Sequence, residues 1–297
     1  TPPSRMVTHN WGNRFADLVA AVVADALAEC SFGLISKLLV EDLPVLERML
    51  EESGRAGDSY WICAFAVNQH ASICNATREG DRDSLTGLPH PRCDCGLPKF
   101  LNHCGTLTAD GRSVECEMNK FDDMMSVMAA SARKCSQVVA VDRGFGVFRR
   151  AWCIGELAKA QALGMRQSLK IHSKEVLLSR QGDLHNLRIQ EMQSSRPEDM
   201  AEIMAKIPSV DAFNESLQAL IFDGHSGLLA EWHHRDAQQQ MGEAGRLLRW
   251  AAADGGGGSV WRCWAGDGGA ESGVGSESGS SESGSRESGS SVRSGGS

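Results

Sequence analysis

At residues 149–157 the chain reads Arg149-Arg150-Ala151-Trp152-Cys153-Ile154-Gly155-Glu156-Leu157. An apolar run at 138–141 and a glycine-containing link at 144–146 precede this stretch, and helical character continues to about Leu163. The pattern predicts a buried strand, a turn and a helix. Open α/β sheets place their ligand crevice at the carboxyl ends of the strands, where such a helix begins. Glu156, in the first turns of the predicted helix, is therefore our first candidate for chemistry.

Glu156 also has a purely structural explanation. The helix dipole alone favours a carboxylate near the start of a helix. A further role is favoured by the neighbouring residues, because Arg149 and Arg150 bring two positive charges to the same helix start. Clusters of charged groups with perturbed ionisation are typical of functional sites, although structural ion pairs form them too. Both explanations of Glu156 stay open at this point.

The chain has 297 residues, and its last part differs in composition from the rest. From about Gly255 the sequence is rich in Gly, Ser and Glu, and it cannot bury enough apolar surface to offset the entropy of an ordered chain. We therefore predict a disordered tail at 253–297. The remainder divides into an α/β domain at 1–180 and a helical extension at 181–252. Because the chain starts at Thr1 rather than Met, we expect a fragment or a processed form.

The net charge is −8, the pI is about 5.6, and Lys and Arg are not concentrated in any one stretch. This balance argues against nucleic-acid binding through phosphate contacts. The longest apolar run near the start, residues 18–24, ends at Asp25 and is too short to span a bilayer, so we expect no membrane insertion. Ten cysteines occur without a secretory signal, which favours reduced thiols and a cytoplasmic location.

Short apolar strands alternate with amphipathic helices along the chain. The predicted strands are residues 6–8, 59–67, 135–141 and 169–171. The predicted helices are residues 14–28 with Asn13 as N-cap, 35–50 with a break near Pro44, 119–132, 196–207, 212–220 and 227–252. Residues 75–117 show no clear period and form a predicted loop insertion. The alternation predicts an α/β fold of the flavodoxin type, a three-layer sandwich with a mainly parallel sheet.

Polar residues follow three of the predicted strands, at 9–13, 68–70 and 142–156. Since the carboxyl ends of parallel strands meet at one edge of the sheet, we expect these three clusters to form a single crevice.

Three segments resemble the TIR (Toll/interleukin-1 receptor) domain family, especially its plant-type and divergent protist members. They are Val7-Thr8-His9-Asn10-Trp11-Gly12, Tyr60-Trp61-Ile62-Cys63-Ala64-Phe65-Ala66-Val67-Asn68-Gln69 and Arg150-Ala151-Trp152-Cys153-Ile154-Gly155-Glu156-Leu157. The last is similar to the Trp-Cys-Leu-x-Glu-Leu segment of plant TIR domains and is the most specific. The likeness covers roughly residues 6–171, with the insertion at 75–117. The Arg-Gly pattern common in the first loop of plant members is absent here.

The resemblance implies an enzyme that cleaves NAD, an NAD glycohydrolase or ADP-ribosyl cyclase acting in signalling or defence, with Glu156 as its catalytic residue. It also implies self-association that completes the site. We expect the aromatic rings to stack on the cofactor, the arginines to meet its pyrophosphate and the histidine to donate hydrogen bonds. The expected cofactor-binding residues are His9, Trp11, Asn68, Gln69, Asp142, Arg149, Arg150 and Trp152. The alternatives for these residues are core packing of the tryptophans and a solvated helix start for the arginines.

Two other functions stay open. The first is a non-enzymatic TIR-like module that signals by self-association, with the Gly/Ser-rich tail as a tether. The second is a zinc-binding module in the insertion, because Cys and His side chains are the usual ligands of tetrahedral zinc. The candidate zinc ligands are Cys93, Cys95, His103, Cys104 and Cys116. The Cys-x-Cys spacing of Cys93 and Cys95 departs from the usual Cys-x-x-Cys knuckle. The alternative to zinc binding is therefore a surface loop with incidental cysteines.

Overall fold

The computed structural model describes residues 3–74, 82–83, 86–130, 135–194 and 197–254. Residues up to Arg246 form one compact unit, and a second unit begins at Leu247. Of the predicted tail, residues 253 and 254 still belong to the last helix, and the remainder lies outside the described residues. Within the described part, no helix combines the length and the apolar character needed to cross a bilayer.

A four-stranded parallel sheet forms the centre of the first unit, with the strand order β2-β1-β3-β4. The strands are β1 Arg5–His9, β2 Tyr60–Ile62, β3 Ser136–Ala140 and β4 Arg166–Lys170. Val7 of β1 lies opposite Val138 of β3, which in turn lies opposite Ser168 of β4. The first strand lies inside the sheet, as it does in flavodoxin-type folds. The predicted flavodoxin-like α/β fold is therefore confirmed.

Three helices cover the first face of the sheet: α1 Phe15–Ala26, α2 Gly33–Glu41 and α3 Leu43–Glu52. Buried alanines of α1, among them Ala21, contact strand residues such as Val138. The predicted break near Pro44 is confirmed, because Pro44 occupies the first turn of α3. Asp42 caps that turn by accepting a hydrogen bond from the Val45 amide at 3.3 Å.

The opposite face is covered by α6 (Phe121–Ala130) and α7 (Ala151–Ala162). Four later helices follow: α8 Lys174–Arg180, α9 Pro197–Ala205, α10 Val210–Phe222 and α11 Leu228–Asp254. Leu217 and Trp232 from these helices share one core with Val139 and Leu157. The Trp232 indole also donates a hydrogen bond to the Cys30 carbonyl at 3.1 Å. The predicted helical extension thus packs into the core of the α/β domain through residues up to Trp232.

The strand predicted at 59–67 is confirmed only for Tyr60–Ile62. After Ile62 the chain leaves β2 and forms two short helices, α4 Cys63–Ala66 and α5 Gln69–Ser72. Because β2 is an edge strand, the apolar residues that follow are poorly covered, and Phe65 is 64% exposed. An apolar run of this length fits a strand or a helix equally well. The predicted N-cap is wrong, since Arg14 holds that position and makes no side-chain cap.

Candidate functional site

Glu156 lies in the second turn of α7, as the sixth of its 12 residues, and faces β1. The Thr8 hydroxyl donates a hydrogen bond to its Oε2 atom at 2.6 Å. Thr8 is fully buried, one residue before the carboxyl end of β1. The strand-turn-helix unit therefore brings the Glu156 carboxylate to the predicted edge of the sheet.

A chain of polar side chains supports this hydrogen bond, and we call Thr8, Gln137 and Gln167 the amide ladder. Thr8 and Gln137 are buried, and Gln167 is partly buried. The Gln137 amide of β3 donates to the Thr8 hydroxyl at 2.8 Å. The Gln167 amide of β4 donates to Gln137 Oε1 at 2.7 Å and to the Leu157 carbonyl at 3.0 Å. The ladder therefore crosses from β4 through β3 to β1 and ends on Glu156.

The Leu157 carbonyl fixes the direction of the whole ladder. A carbonyl only accepts, so Gln167 must turn its NH2 group towards Leu157 and Gln137. Gln137 then presents its oxygen to Gln167 and its NH2 group to Thr8. With its oxygen occupied as an acceptor, the Thr8 hydroxyl directs its hydrogen at Glu156. Such a donor stabilises the ionised carboxylate.

The Glu156 carboxyl group titrates near neutrality. Burial raises its pKa to about 7, the Thr8 hydrogen bond opposes that rise, and the charge of Asp122 adds to it. An ordinary glutamate is almost fully ionised at pH 7, whereas this one is about half protonated. A carboxyl group with such a pKa can accept or release a proton under ordinary conditions.

Two cysteines and a histidine surround the carboxylate, and all three are uncharged at neutral pH. The Cys63 thiol lies 3.6 Å from His9 Nε2, and the Cys153 thiol donates to the His9 carbonyl at 3.4 Å. Burial, followed by the Glu156 charge, raises the pKa of Cys63 to about 12, and burial also raises the pKa of Cys153. Burial lowers the pKa of His9. Neither thiol is therefore activated as a nucleophile.

The first predicted cluster reaches the site. His9 is buried between the two thiols, whereas Trp11 is 43% exposed and its side chain interacts with Cys63. The exposed Trp11 ring beside Cys63 offers a stacking surface for an aromatic ligand.

The second predicted cluster has mainly structural contacts. The Asn68 side chain caps α5 by accepting hydrogen bonds from the amides of His70 and Ala71. The Gln69 amide donates to the carbonyls of Cys63 and Ala64, at 3.3 Å each. These contacts hold α5 beside the end of β2.

The third predicted cluster lies in the turn that leads from β3 into α7. Both carboxylate oxygens of Asp142 accept backbone hydrogen bonds, from Gly146 at 2.9 Å and Val147 at 2.8 Å. Arg150 is the N-cap residue of α7, and the exposed Arg149 pairs with Asp183 at 3.0 Å.

Trp152 on α7 is partly buried. Its ring makes an edge-on contact with Phe121, at 5.4 Å between centroids, and the Lys206 ammonium lies 6.0 Å from it. Of the two interpretations of Trp152, core packing accounts for these contacts.

The link between β3 and α7 requires glycine at one position. A Cβ atom on Gly146 would lie 2.4 Å from Asn10 Nδ2 and 3.1 Å from Asp142 Oδ2. Since Asn10 also accepts a hydrogen bond from the Gly12 amide, it cannot move freely. We expect Gly146→Ala to destabilise the fold by about 1–3 kcal/mol, as overpacking does.

Gly155→Ala is the matched control, because no neighbouring atom lies within 4 Å of its Cβ position and Gly155 lies inside α7. Alanine there should stabilise by about 0.5–1 kcal/mol. Denaturant unfolding measures both changes. Equal stability of the two variants would contradict the close approach of Asn10.

A second group of side chains lies around α5. The ligand atoms of His70, Cys74, Cys93 and Cys95 all lie within 4.8 Å of one another. Of the predicted zinc ligands, only Cys93 and Cys95 belong to this group. His103, Cys104 and Cys116 lie outside it. The Cys104 thiol instead accepts a hydrogen bond from the Leu101 amide at 3.2 Å, and Cys116 is buried.

Sequence patterns hold a weak signal for the missed residues. Thr8 and Gln137 are polar residues beside apolar residues of buried strands, a position that often marks a buried hydrogen-bond network. His70 and Cys74 have a spacing of four, which places two side chains on one face of a helix.

Comparison with protein-family models, with curated proteins and with solved structures finds no match to this chain. The functional interpretation therefore depends on the geometry described above.

Proposed function

We propose that this chain cleaves NAD at the bond between nicotinamide and ribose, with Glu156 as the catalytic carboxylate. The observation that carries the proposal is the directed hydrogen bond from Thr8 to a carboxyl group whose pKa is about 7. The amide ladder uses the buried Thr8 and Gln137 and the partly buried Gln167 to hold one carboxylate, which the helix dipole alone does not require. The resemblance of 150–157 to the TIR segment supports the same assignment.

The chemistry requires one carboxylate. When the C–N bond breaks, its electron pair leaves with nicotinamide, which departs as a neutral base and needs no proton. Positive charge develops on the ribose, as in glycoside hydrolysis, and the ionised Glu156 stabilises that charge. In hydrolysis, water then adds to the anomeric carbon, and Glu156 accepts the proton that the water releases. In cyclisation, a nitrogen of the adenine ring takes the place of water.

The surroundings of Glu156 supply groups that suit a dinucleotide. In this proposal the exposed Trp11 ring stacks on an aromatic ring of NAD, and Arg149 or Arg150 meets the pyrophosphate. Thr8 acts as a positioning residue, because it holds Glu156 through the hydroxyl group. Self-association of the chain completes the site, so the activity rises more steeply than the protein concentration.

The test is nicotinamide release from NAD by the purified chain at high concentration. We expect release by the parent and by Glu175→Gln, and loss of at least about 10²-fold in Glu156→Gln. Glu175 is the control because it is another helical glutamate, exposed in the first turn of α8. Equal release by Glu156→Gln would show that Glu156 is the wrong residue. Binding of NAD by an assembled parent without release would indicate the non-enzymatic interaction module.

Thr8→Val should change the pH profile of the reaction. Since ionised Glu156 is the active form, the rate of the parent should rise with pH, with a midpoint near 7. The Thr8 hydrogen bond lowers the pKa of Glu156, so its loss should move that midpoint upward by about one pH unit. Thr8→Ser keeps the hydroxyl and should retain the parent profile. A lower rate in Thr8→Val without any movement of the midpoint would contradict this role.

A further inference from the structure

A cluster of one imidazole and three thiols lies beside the edge strand, separate from Glu156. His70 lies on α5 and Cys74 follows it closely, whereas Cys93 and Cys95 come from a stretch of irregular backbone at 91–100. Cys74 Sγ lies 3.6 Å from Cys95 Sγ, and Cys93 Sγ lies 3.2 Å from His70 Nδ1. Ligands of tetrahedral zinc are separated by about 3.5–3.8 Å, as its bond lengths of about 2.3 Å to sulfur and 2.0 Å to nitrogen imply.

We propose that His70, Cys74, Cys93 and Cys95 bind one Zn²⁺ ion in a tetrahedral site. Three soft thiolates and an imidazole select zinc over hard cations such as Mg²⁺ or Ca²⁺, which prefer oxygen. Four protein ligands fill the coordination sphere, so the role of the metal is structural. The proposal is independent of NAD cleavage.

The surroundings balance the charge of such a site. Three thiolates and one Zn²⁺ sum to a net charge of −1. The Lys99 ammonium lies 2.8 Å from Cys74 Sγ and also donates a hydrogen bond to the His70 carbonyl. A cation that contacts a ligand sulfur and the backbone of a second ligand is typical of the outer shell of a metal site.

The position of the cluster indicates what the metal does. The Phe100 amide donates to the Ala71 carbonyl at 2.8 Å, so the irregular stretch returns to α5 after Cys95. Asn68 and Gln69 in turn hold α5 beside the end of β2. A metal ion at this point cross-links the insertion to the edge of the sheet. The insertion has no regular secondary structure at 91–100 that would hold it there.

Metal content tests the proposal on the full chain. We expect protein purified under reducing conditions with Zn²⁺, and then dialysed, to retain one Zn²⁺ ion per chain. Cobalt in its place should give the visible absorption bands of tetrahedral Co²⁺ and a thiolate-to-cobalt charge-transfer band. Cys93→Ser and His70→Ala should lose the bound metal and these bands. A parent that retains no metal would overturn the proposal.

Two further variants distinguish the loss of a ligand from misfolding and test which residues are the ligands. His70→Cys replaces one ligand type with another and should retain zinc, so loss in His70→Ala together with retention in His70→Cys identifies ligation. Cys104→Ser, just outside the cluster, should retain zinc and the cobalt bands. Loss of zinc in Cys104→Ser but not in Cys93→Ser would overturn the ligand set. A Cys74–Cys95 disulfide in the reduced and zinc-supplied protein would overturn the site itself.

Discussion

Replacing Glu156 with glutamine is expected to abolish nicotinamide release and, at the same time, to stabilise the folded protein above pH 7. The stability change follows from the raised pKa of this group. Below the ordinary glutamate pKa of 4.5 the carboxyl group is neutral in both the folded and the unfolded chain, and it imposes no penalty. Between that value and about 7 only the unfolded chain ionises, so the folded protein loses stability as pH rises.

Glutamine removes this penalty and still offers Thr8 an acceptor oxygen. The increase in the free energy of unfolding should therefore be absent near pH 4.5 and grow to at most about 3 kcal/mol above pH 7. This is the free energy that corresponds to the raised pKa of Glu156. Denaturant unfolding of parent and Glu156→Gln at a series of pH values measures it. Under the proposed function, the raised pKa of Glu156 costs the fold stability in return for activity.

Glu175→Gln is the control for the sign of the change. A hydrogen bond from Ser173 lowers the pKa of Glu175, so its replacement should give no gain at high pH. A stability difference between parent and Glu156→Gln that does not depend on pH would show that Glu156 is an ordinary carboxylate in the folded chain.

Asp25→Ala is expected to destabilise the fold by about 3–5 kcal/mol, because it removes one partner of a buried ion pair and leaves the other charge buried. Asp25 on α1 lies 3.1 Å from the ammonium of Lys170, which is only 1% exposed. It also lies 2.9 Å from the Arg5 guanidinium and accepts a hydrogen bond from Tyr60 at 3.1 Å. Without Asp25, the Lys170 ammonium stays buried with the Glu29 carbonyl as its remaining contact among the described residues.

A double variant separates the buried charge from the other contacts. Burial already lowers the pKa of Lys170, and Asp25 opposes that effect. Asp25→Ala should lower the pKa of Lys170 further. As pH rises towards the ordinary lysine range, Lys170 releases its proton in the folded chain before it does so in the unfolded chain, so the loss of folding stability in Asp25→Ala should become smaller. Asp25→Ala combined with Lys170→Met should be more stable than Asp25→Ala alone. The reverse order would contradict the role of the buried charge.

Asp58→Ala is the matched surface control. Asp58 pairs with Arg5 at 2.8 Å and with Arg55 at 3.3 Å, but its side chain is partly exposed to solvent. Exposed pairs contribute about 0–1 kcal/mol, so this variant should remain close to the parent in denaturant unfolding.

The fold class could be predicted from the sequence because β3 and α7 have clear apolar patterns. The segment from β3 through α7 combines a buried strand with a helix of the expected period, and the predicted alternation followed from it. The error at 59–67 arose because the hydrophobic period of a short apolar run does not distinguish a strand from a helix. Phe65 and its neighbours lie beyond the end of an edge strand. How far an edge strand extends depends on its single neighbour, which local sequence does not reveal.

The candidate site was only partly predictable for a similar reason. Glu156 and the strand that precedes its helix follow from local pattern. The amide ladder depends on the register between β1, β3 and β4, which places Thr8, Gln137 and Gln167 on one face. The cluster of His70, Cys74, Cys93 and Cys95 brings Cys74 close to Cys95 across a stretch without periodic structure, so spacing along the sequence could not predict this grouping.

The amide ladder has a further consequence for the path of protons. A carboxylic acid or a histidine can pass a proton on, but an amide holds its hydrogens and does not relay them. Because the Gln137 and Gln167 amides continue the ladder beyond Thr8, no proton can pass along it from Glu156 to β4. The proton that Glu156 takes up or releases near neutral pH is therefore exchanged by a route other than the ladder.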